Sequence, residues 1–278
     1  MFEGRNLVIA TKHGKEKVIA PVLEKALKVK CFVATNLDTD ELGTFTGEVE
    51  RLDDPITTAR KKCLMAMVLT NCDLALASEG SFGPHPALYF IPADDELLLL
   101  IDKKNDLEII VRELSTATNF NGSVIHSENE LNDFASKAHF PTHGLILRKE
   151  KDDFSDIVKG ITNAEVLYKT FKLFSSSYSK AFIETDMRAM YNPMRMKVIE
   201  KATFKLLDKI NTVCPECSTP GFGITDSKKG LPCNVCNFPT RSVSSHIFSC
   251  KKCSYLKEEK YPNGKFFEDP MHCDVCNP

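Results

Sequence analysis

The 278-residue chain has no long apolar run. Its apolar stretches, Leu97 to Ile101 among them, are far short of the about 20 residues that cross a bilayer, which excludes a helical membrane span and makes a membrane an unexpected partner. Neither sign of charge is in excess: 36 basic side chains stand against 38 acidic ones, a formal net charge of −2. Wholesale gripping of nucleic-acid backbones shows as a clear basic excess or stripe, and this chain lacks one. No basic segment opens the sequence ahead of a long apolar one. Glu3 and Arg5 precede only the short run Leu7 to Ala10, so no signal peptide is expected and the expected location is cytoplasmic. Two catalytic signatures are also missing. There is no G-x-x-x-x-G-K-[ST] phosphate loop, and neither Ser78 nor Ser81 lies in a G-x-S-x-G nucleophile elbow.

What the sequence does have is cysteine, unevenly spread. Cys31, Cys63 and Cys72 are scattered, while eight more form four C-x-x-C pairs: Cys214/Cys217, Cys233/Cys236, Cys250/Cys253 and Cys273/Cys276. The gaps between pairs one and two and between pairs three and four are 15 and 19 residues, which fits zinc-site spacing. A C-x-x-C knuckle aims two sulfurs at one ion, and a second knuckle completes the tetrahedron that zinc accepts. Disulfides do not suit a reducing compartment, and a redox pair would need only one such motif. Four thiolates close the coordination shell, so two structural zinc ions are expected rather than catalytic ones. Two pairings fit: sequential, giving two stacked ribbons, or cross-braced, first with third and second with fourth. The sequential pairing is favoured because both intervening segments can form short hairpins. From Thr212 to Pro278 there are 8 Lys/Arg and 7 Asp/Glu. Tetrathiolate zinc adds further negative charge, so this module is poorly suited to hold phosphate backbones by charge alone. Its partner, protein or nucleic acid, is left open.

The first two hundred residues alternate strand-like runs with helical periodicity. Strands are expected at Leu7–Ala10, Cys31–Ala34, Asp73–Ser78, Glu96–Asp102, Leu107–Leu114 and Gly144–Arg148. Helices are expected near Gly14–Lys28, at Pro55–Thr70 with Asp54 as cap, and near Glu128–Ala138. Two more follow, Ala164–Phe174 and one capped by Asn192 that runs to about Ile210. The expected fold is therefore an α/β domain with a mixed sheet over residues 1–211, followed by a small zinc-ribbon-like module over 212–278.

Two segments stand where an open α/β sheet binds ligands, beyond the carboxyl ends of its strands. Thr11-Lys12-His13-Gly14-Lys15 joins a strand to a helix start, where backbone N–H groups and the helix dipole favour an anion. Ser78 to Pro86 carries two glycines and two prolines, with Glu79 and His85 placed to hold magnesium or activate water. Asp38 to Glu48 is either a carboxylate-bearing lid or a surface turn. Asp186 and Arg188, with Asn192 and Arg195 nearby, read more simply as a pair locking helices than as an anion clamp. Cys31 and Cys72 lie in or beside apolar strands and read as small core residues rather than nucleophiles.

The segments ATKHGKEKVIAP (Ala10–Pro21), LGTFTGEVER (Leu42–Arg51), LASEGSFGPHPAL (Leu76–Leu88) and ETDMRAMYNPMRM (Glu184–Met196), with the knuckles CPEC, LPCNVC and CDVC, resemble a family of uncharacterised proteins. That family joins an α/β body to a C-terminal double zinc ribbon. The first ninety residues are more faintly similar to the inosine-triphosphatase-like nucleotide pyrophosphatases, with His13 where those have asparagine and Glu79 alone where they have paired acids. That resemblance implies a magnesium-dependent hydrolase of a nucleotide or another phosphorylated small molecule. Thr11, His13, Lys15 and Lys17 would cradle phosphate, Glu48 and Glu79 would hold magnesium, and His85 would move a proton. The alternative is a non-catalytic adaptor that uses the zinc module to bind a partner.

Overall fold

The computed structural model describes residues 1–35, 37 and 53–278. The chain divides into two compact units, Met1–Leu206 and Leu207–Pro278. Among the described residues no helix is long and apolar enough to cross a membrane.

The first unit is built on a five-stranded mixed sheet in the order β2-β1-β3-β4-β5. Its strands are β1 (Asn6–Ala10), β2 (Lys30–Val33), β3 (Leu74–Pro84), β4 (Pro92–Asp102) and β5 (Leu107–Ser115). β1 runs parallel to both β2 and β3, and β3, β4 and β5 form an antiparallel meander. Helix α1 (Glu16–Leu27) connects β1 to β2, and α2 (Pro55–Thr70) precedes β3. The chain leaves β1 for β2 on one side and returns to β3 on the other. The carboxyl ends of β1 and β3 therefore flank a topological switch point, the place where such sheets open a crevice.

Local chemistry explains the helix ends. Asp54 Oδ1 accepts from the Ile56 and Thr57 N–H groups, and Pro55 stands where a missing N–H costs nothing. α2 places Ala59, Cys63, Ala66 and Met67 against Val8, Ala10, Ala75, Ala77, Leu97 and Leu99. Strand side chains alternate between faces, so this assignment also fixes which residues point away from α2. Ser78, Gly80, Phe82, Asp94 and Glu96 lie on the opposite face, because Gly80 pairs with Glu96 and Phe82 with Asp94.

A second, four-stranded sheet has the order β6-β9-β7-β8, from β6 (Gly122–Ile125), β7 (Leu145–Arg148), β8 (Ile157–Ile161) and β9 (Ala181–Thr185). One face carries Ile125, Leu145, Leu147, Ala181 and Ile183, buried against α3 (Glu128–Lys137) and α4 (Ala164–Tyr178). Of these strands sequence patterning finds only β7. Helix α5 (Pro193–Asn211) follows β9, and Asn192 Oδ1 accepts from the Arg195 N–H as its cap.

The second unit is a three-stranded antiparallel meander, β10 (Gly223–Lys229), β11 (Val243–Ser249) and β12 (Leu256–Lys260), with the knuckles at its ends. Each segment between successive knuckles contributes one strand, not the expected hairpin.

Candidate active site and metal centres

The meander settles which knuckles meet. Antiparallel pairing sets Gly223 opposite Ser249, so the first knuckle, before β10, lies beside the third, after β11. Lys229 opposite Val243 and Ser245 opposite Lys260 carry the second and fourth knuckles to the other end. There Glu268 locks the two segments together, its N–H donating to Pro232 O at 2.8 Å and its carbonyl accepting from Asn234 N at 3.0 Å. The quartets are therefore Cys214/Cys217/Cys250/Cys253 and Cys233/Cys236/Cys273/Cys276. The pairing is cross-braced, and the sequential pairing is corrected.

The knuckles share one construction. Cys214, Cys233, Cys250 and Cys273 each accept, at the carbonyl, the N–H of the residue four positions on, at 2.8 to 3.0 Å. Ser218, Asn237 and Ser254 take the left-handed backbone that closes the turn. Each pair buries its first cysteine and exposes its second. The sulfurs fit a metal. A zinc–sulfur bond of about 2.3 Å sets tetrahedral sulfur–sulfur edges of about 3.8 Å. The facing pairs Cys214–Cys253, Cys217–Cys250 and Cys236–Cys273 lie at 3.6 Å, and Cys233–Cys276 at 3.9 Å. Each quartet could hold one structural zinc.

The first unit holds a different assembly, a cluster of buried charges at the switch point. Lys15, at the start of α1, turns inward. Its Nζ donates to Ser78 Oγ at 2.9 Å and Ser78 O at 3.2 Å, and lies 3.8 Å from Glu96 Oε2. Burial draws its pKa down to about 8, against the pull of Glu96 in the opposite direction. Arg195 Nε donates to Glu96 Oε1 at 2.6 Å, Nη1 donates to Met187 O at 2.6 Å, and the guanidinium lies 5.1 Å from the centre of the Phe82 ring. Arg195 and Glu96 are fully buried. Gly80 permits this packing, since a Cβ there would overlap both Arg195 Nη2 and Glu96 Oε1.

Asp94 completes the cluster and is its least satisfied member. It is 1% exposed, and among the described residues no donor reaches either of its oxygens. It shares a face of β4 with Glu96, and two carboxyl groups can bond each other only when one is protonated. Burial first, then the Glu96 charge, push its pKa up to about 8 while Arg195 and Lys15 pull it down. Burial and the Glu96 charge thus favour the neutral form of Asp94.

The remaining candidates fall around this cluster. Thr11 is buried at the end of β1, His13 is half-buried and Lys17 is exposed. Gly14 has a positive φ, +75°, and a Cβ there would rest on Met190. The Ser78–Pro86 segment is not a free loop, because β3 continues through Pro84 and its second half pairs with β4. Glu79 therefore faces α2, where its Oε1 lies 2.5 Å from Lys62 Nζ, on the side of the sheet away from Ser78 and Glu96. His85 Nδ1 accepts the Ala87 and Leu88 N–H groups at 3.2 and 3.1 Å and caps the hairpin turn. Glu48 and the Asp38–Glu48 stretch lie outside the described residues. Among the described residues, the groups of three or more His, Cys, Asp or Glu side chains able to close on one ion are the two cysteine quartets. Asp186 is fully buried and pairs with Arg188 as expected, but its further partner is the Gly160 N–H of β8, so the contact ties down a strand rather than locking helices. Burial raises the Cys63 thiol far above its ordinary range and the Cys31 thiol to about 12, neither suited to nucleophilic attack.

Sequence reasoning missed Asp94 and Glu96 as site residues. Their signal was present: acids in a strand that otherwise reads LLLLI, on the face shared with the serine and glycine of β3.

No curated protein matches the chain, and no similarity to the inosine-triphosphatase-like enzymes was found. A family model, "Domain of unknown function (DUF6671)", matches residues 62–278, a span that takes in Lys62, Glu79, Asp94, Glu96, Arg195 and all eight knuckle cysteines. The chain belongs to this DUF6671 family.

Proposed function

We propose that the Met1–Leu206 unit is an enzyme acting on a phosphorylated small molecule, with its chemistry at the Lys15–Asp94–Glu96–Arg195 cluster and the zinc module as a structural accessory. One observation carries this reading: Asp94 is a buried acid that no donor reaches among the described residues, set beside two cations and a second carboxylate. Such groups cost stability and concentrate where chemistry needs them. With Asp94 protonated, the cluster has one cation more than it has anions, which favours an anionic ligand at the switch point. The Thr11–Gly14 turn and the first N–H groups of α1 lie at the same end of the sheet. Asp94 would supply a proton to a leaving oxygen, and Lys15 and Arg195 would hold developing negative charge.

The test is phosphate or pyrophosphate release from a panel of nucleotides and sugar phosphates, with and without magnesium. The magnesium arm and a Glu79→Gln variant examine whether Glu79 holds metal. Release that Asp94→Asn abolishes supports the cluster. Release lost with Glu79→Gln and kept with Asp94→Asn moves the chemistry to the α2 face.

A second reading, the adaptor, has its own observation. Val235, Phe238, Phe266, Phe267, Met271 and Val275 are exposed apolar residues in and beside the Cys233/Cys236/Cys273/Cys276 quartet segments. A blank panel from folded, zinc-loaded protein would favour it.

A further inference from the structure

The second sheet has one face buried by helices, and its other face bounds a cleft. Gly122, Arg148, Phe182 and Glu184 lie on this face, since Gly122 pairs with Glu184 and Arg148 with Phe182. Opposite stands the β3–β4 hairpin tip, where Tyr89 and Phe90 are 78% and 84% exposed. The cleft measures about 440 Å³ and is lined by Tyr89, Phe90, Phe120, Asn121, Lys151 and Phe182, among others. That volume is within the range of small-molecule sites. Gly122 lets the Phe182 ring pack closely on the floor, because a Cβ there would come within 2.8 Å of Phe182 Cζ.

The charged side chains lining the cleft are Lys151 and Glu184. Glu184 is paired with Arg148, which leaves Lys151 to meet an anion. Arg148 is 3% exposed, and among the described residues its Nε has no hydrogen-bond partner. The cleft is also one ring away from the charge cluster. Phe120 lies 5.6 Å from Phe82, whose ring in turn lies 5.1 Å from the Arg195 guanidinium.

We propose that this cleft binds a planar aromatic ring that carries an anionic group, the chemistry shared by nucleoside monophosphates and aryl phosphates. The ring packs among Tyr89, Phe90, Phe120 and Phe182, and the anion meets Lys151. A purely apolar ligand would leave Lys151 unused. A ringless sugar phosphate would leave four aromatic side chains unused. A folded protein partner needs roughly 800 Å² on each side, more than this cleft offers. The inference goes beyond the enzyme reading, because the cleft is lined by none of Lys15, Asp94, Glu96 and Arg195 and is a ligand site separate from the buried cluster.

The experiment is calorimetric titration of the full, zinc-loaded chain with adenosine monophosphate, phenyl phosphate, adenosine, ribose 5-phosphate and inorganic phosphate. The two ring-bearing phosphates should bind at least about tenfold more tightly than the two ringless ones. Lys151→Ala should weaken the ring-bearing phosphates about tenfold and leave adenosine unchanged. Tyr89→Ala should weaken the phosphates and adenosine alike. Both side chains are exposed, so neither change should disturb folding. Equal binding with and without a ring, no binding at millimolar ligand, or binding indifferent to both substitutions would overturn the proposal. Ring-selective binding without turnover keeps the cleft and removes the enzyme reading, whereas turnover without ring preference does the reverse.

Discussion

Asp94 is the residue on which pH should act most visibly. Its folded pKa of about 8 lies above the 3.8 of a free aspartate, so between those values the folded chain holds a proton that the unfolded chain has released. Its contribution is complete below pH 3.8 and is lost as the pH rises toward 8, by up to about 1.4 kcal/mol per pH unit. Asp94→Asn should flatten the fall of melting temperature across that window, and an unchanged slope would contradict the assignment. Glu96→Gln leaves Arg195 buried without its counter-charge and should cost about 3–5 kcal/mol. Gly80→Ala should cost about 1–3 kcal/mol through displacement of the same pair. Denaturant titration at pH 7 measures both. Lys15 and Arg195 were visible in the sequence as candidate residues of polar stretches. Their meeting at Glu96 was not, because it depends on a contact spanning 99 residues between α5 and β4.

At the scale of elements, the legible features were those written in neighbouring residues. The Asp54–Pro55 and Asn192–Pro193 helix starts, the β1–α1–β2 crossover and the four knuckles all follow from short-range chemistry. β6, β8 and β9 were missed because each has only four or five residues and mixes polar with apolar side chains. The Glu79 segment was read as a loop because glycine and proline punctuate it, yet pairing with β4 outweighs that punctuation. Knuckle pairing was misjudged for a related reason: spacing cannot distinguish a hairpin from a single strand passing between sites. The cross-brace makes its own prediction. Cys214→Ser and Cys250→Ser should each remove one zinc, and the double variant should remove no more. Cys214→Ser with Cys233→Ser should remove both, as read by metal analysis of purified protein. The sequential arrangement predicts that Cys214→Ser with Cys233→Ser leaves one zinc.

At the scale of the whole molecule, the two units draw on different sources of stability. The Leu207–Pro278 unit has a small cluster of buried apolar residues around Phe222, with Cys214 and Cys250 themselves part of it. With so small a buried cluster, metal at the two quartets is the expected source of its folding energy. The Met1–Leu206 unit has apolar cores of its own. Purified reduced protein should carry about two zincs per chain. A strong chelator should open the second unit to protease while fragments of the first persist. Loss of both units together would show that the metal sites support the entire chain. The central claim is that the buried cluster at the switch point performs chemistry on a phosphorylated molecule. Its most direct test is phosphate release at pH 7 by wild type and Asp94→Asn, both zinc-loaded and folded. Release by the wild type that falls at least about a hundredfold in the variant is the predicted result, and equal release by the two proteins would contradict it.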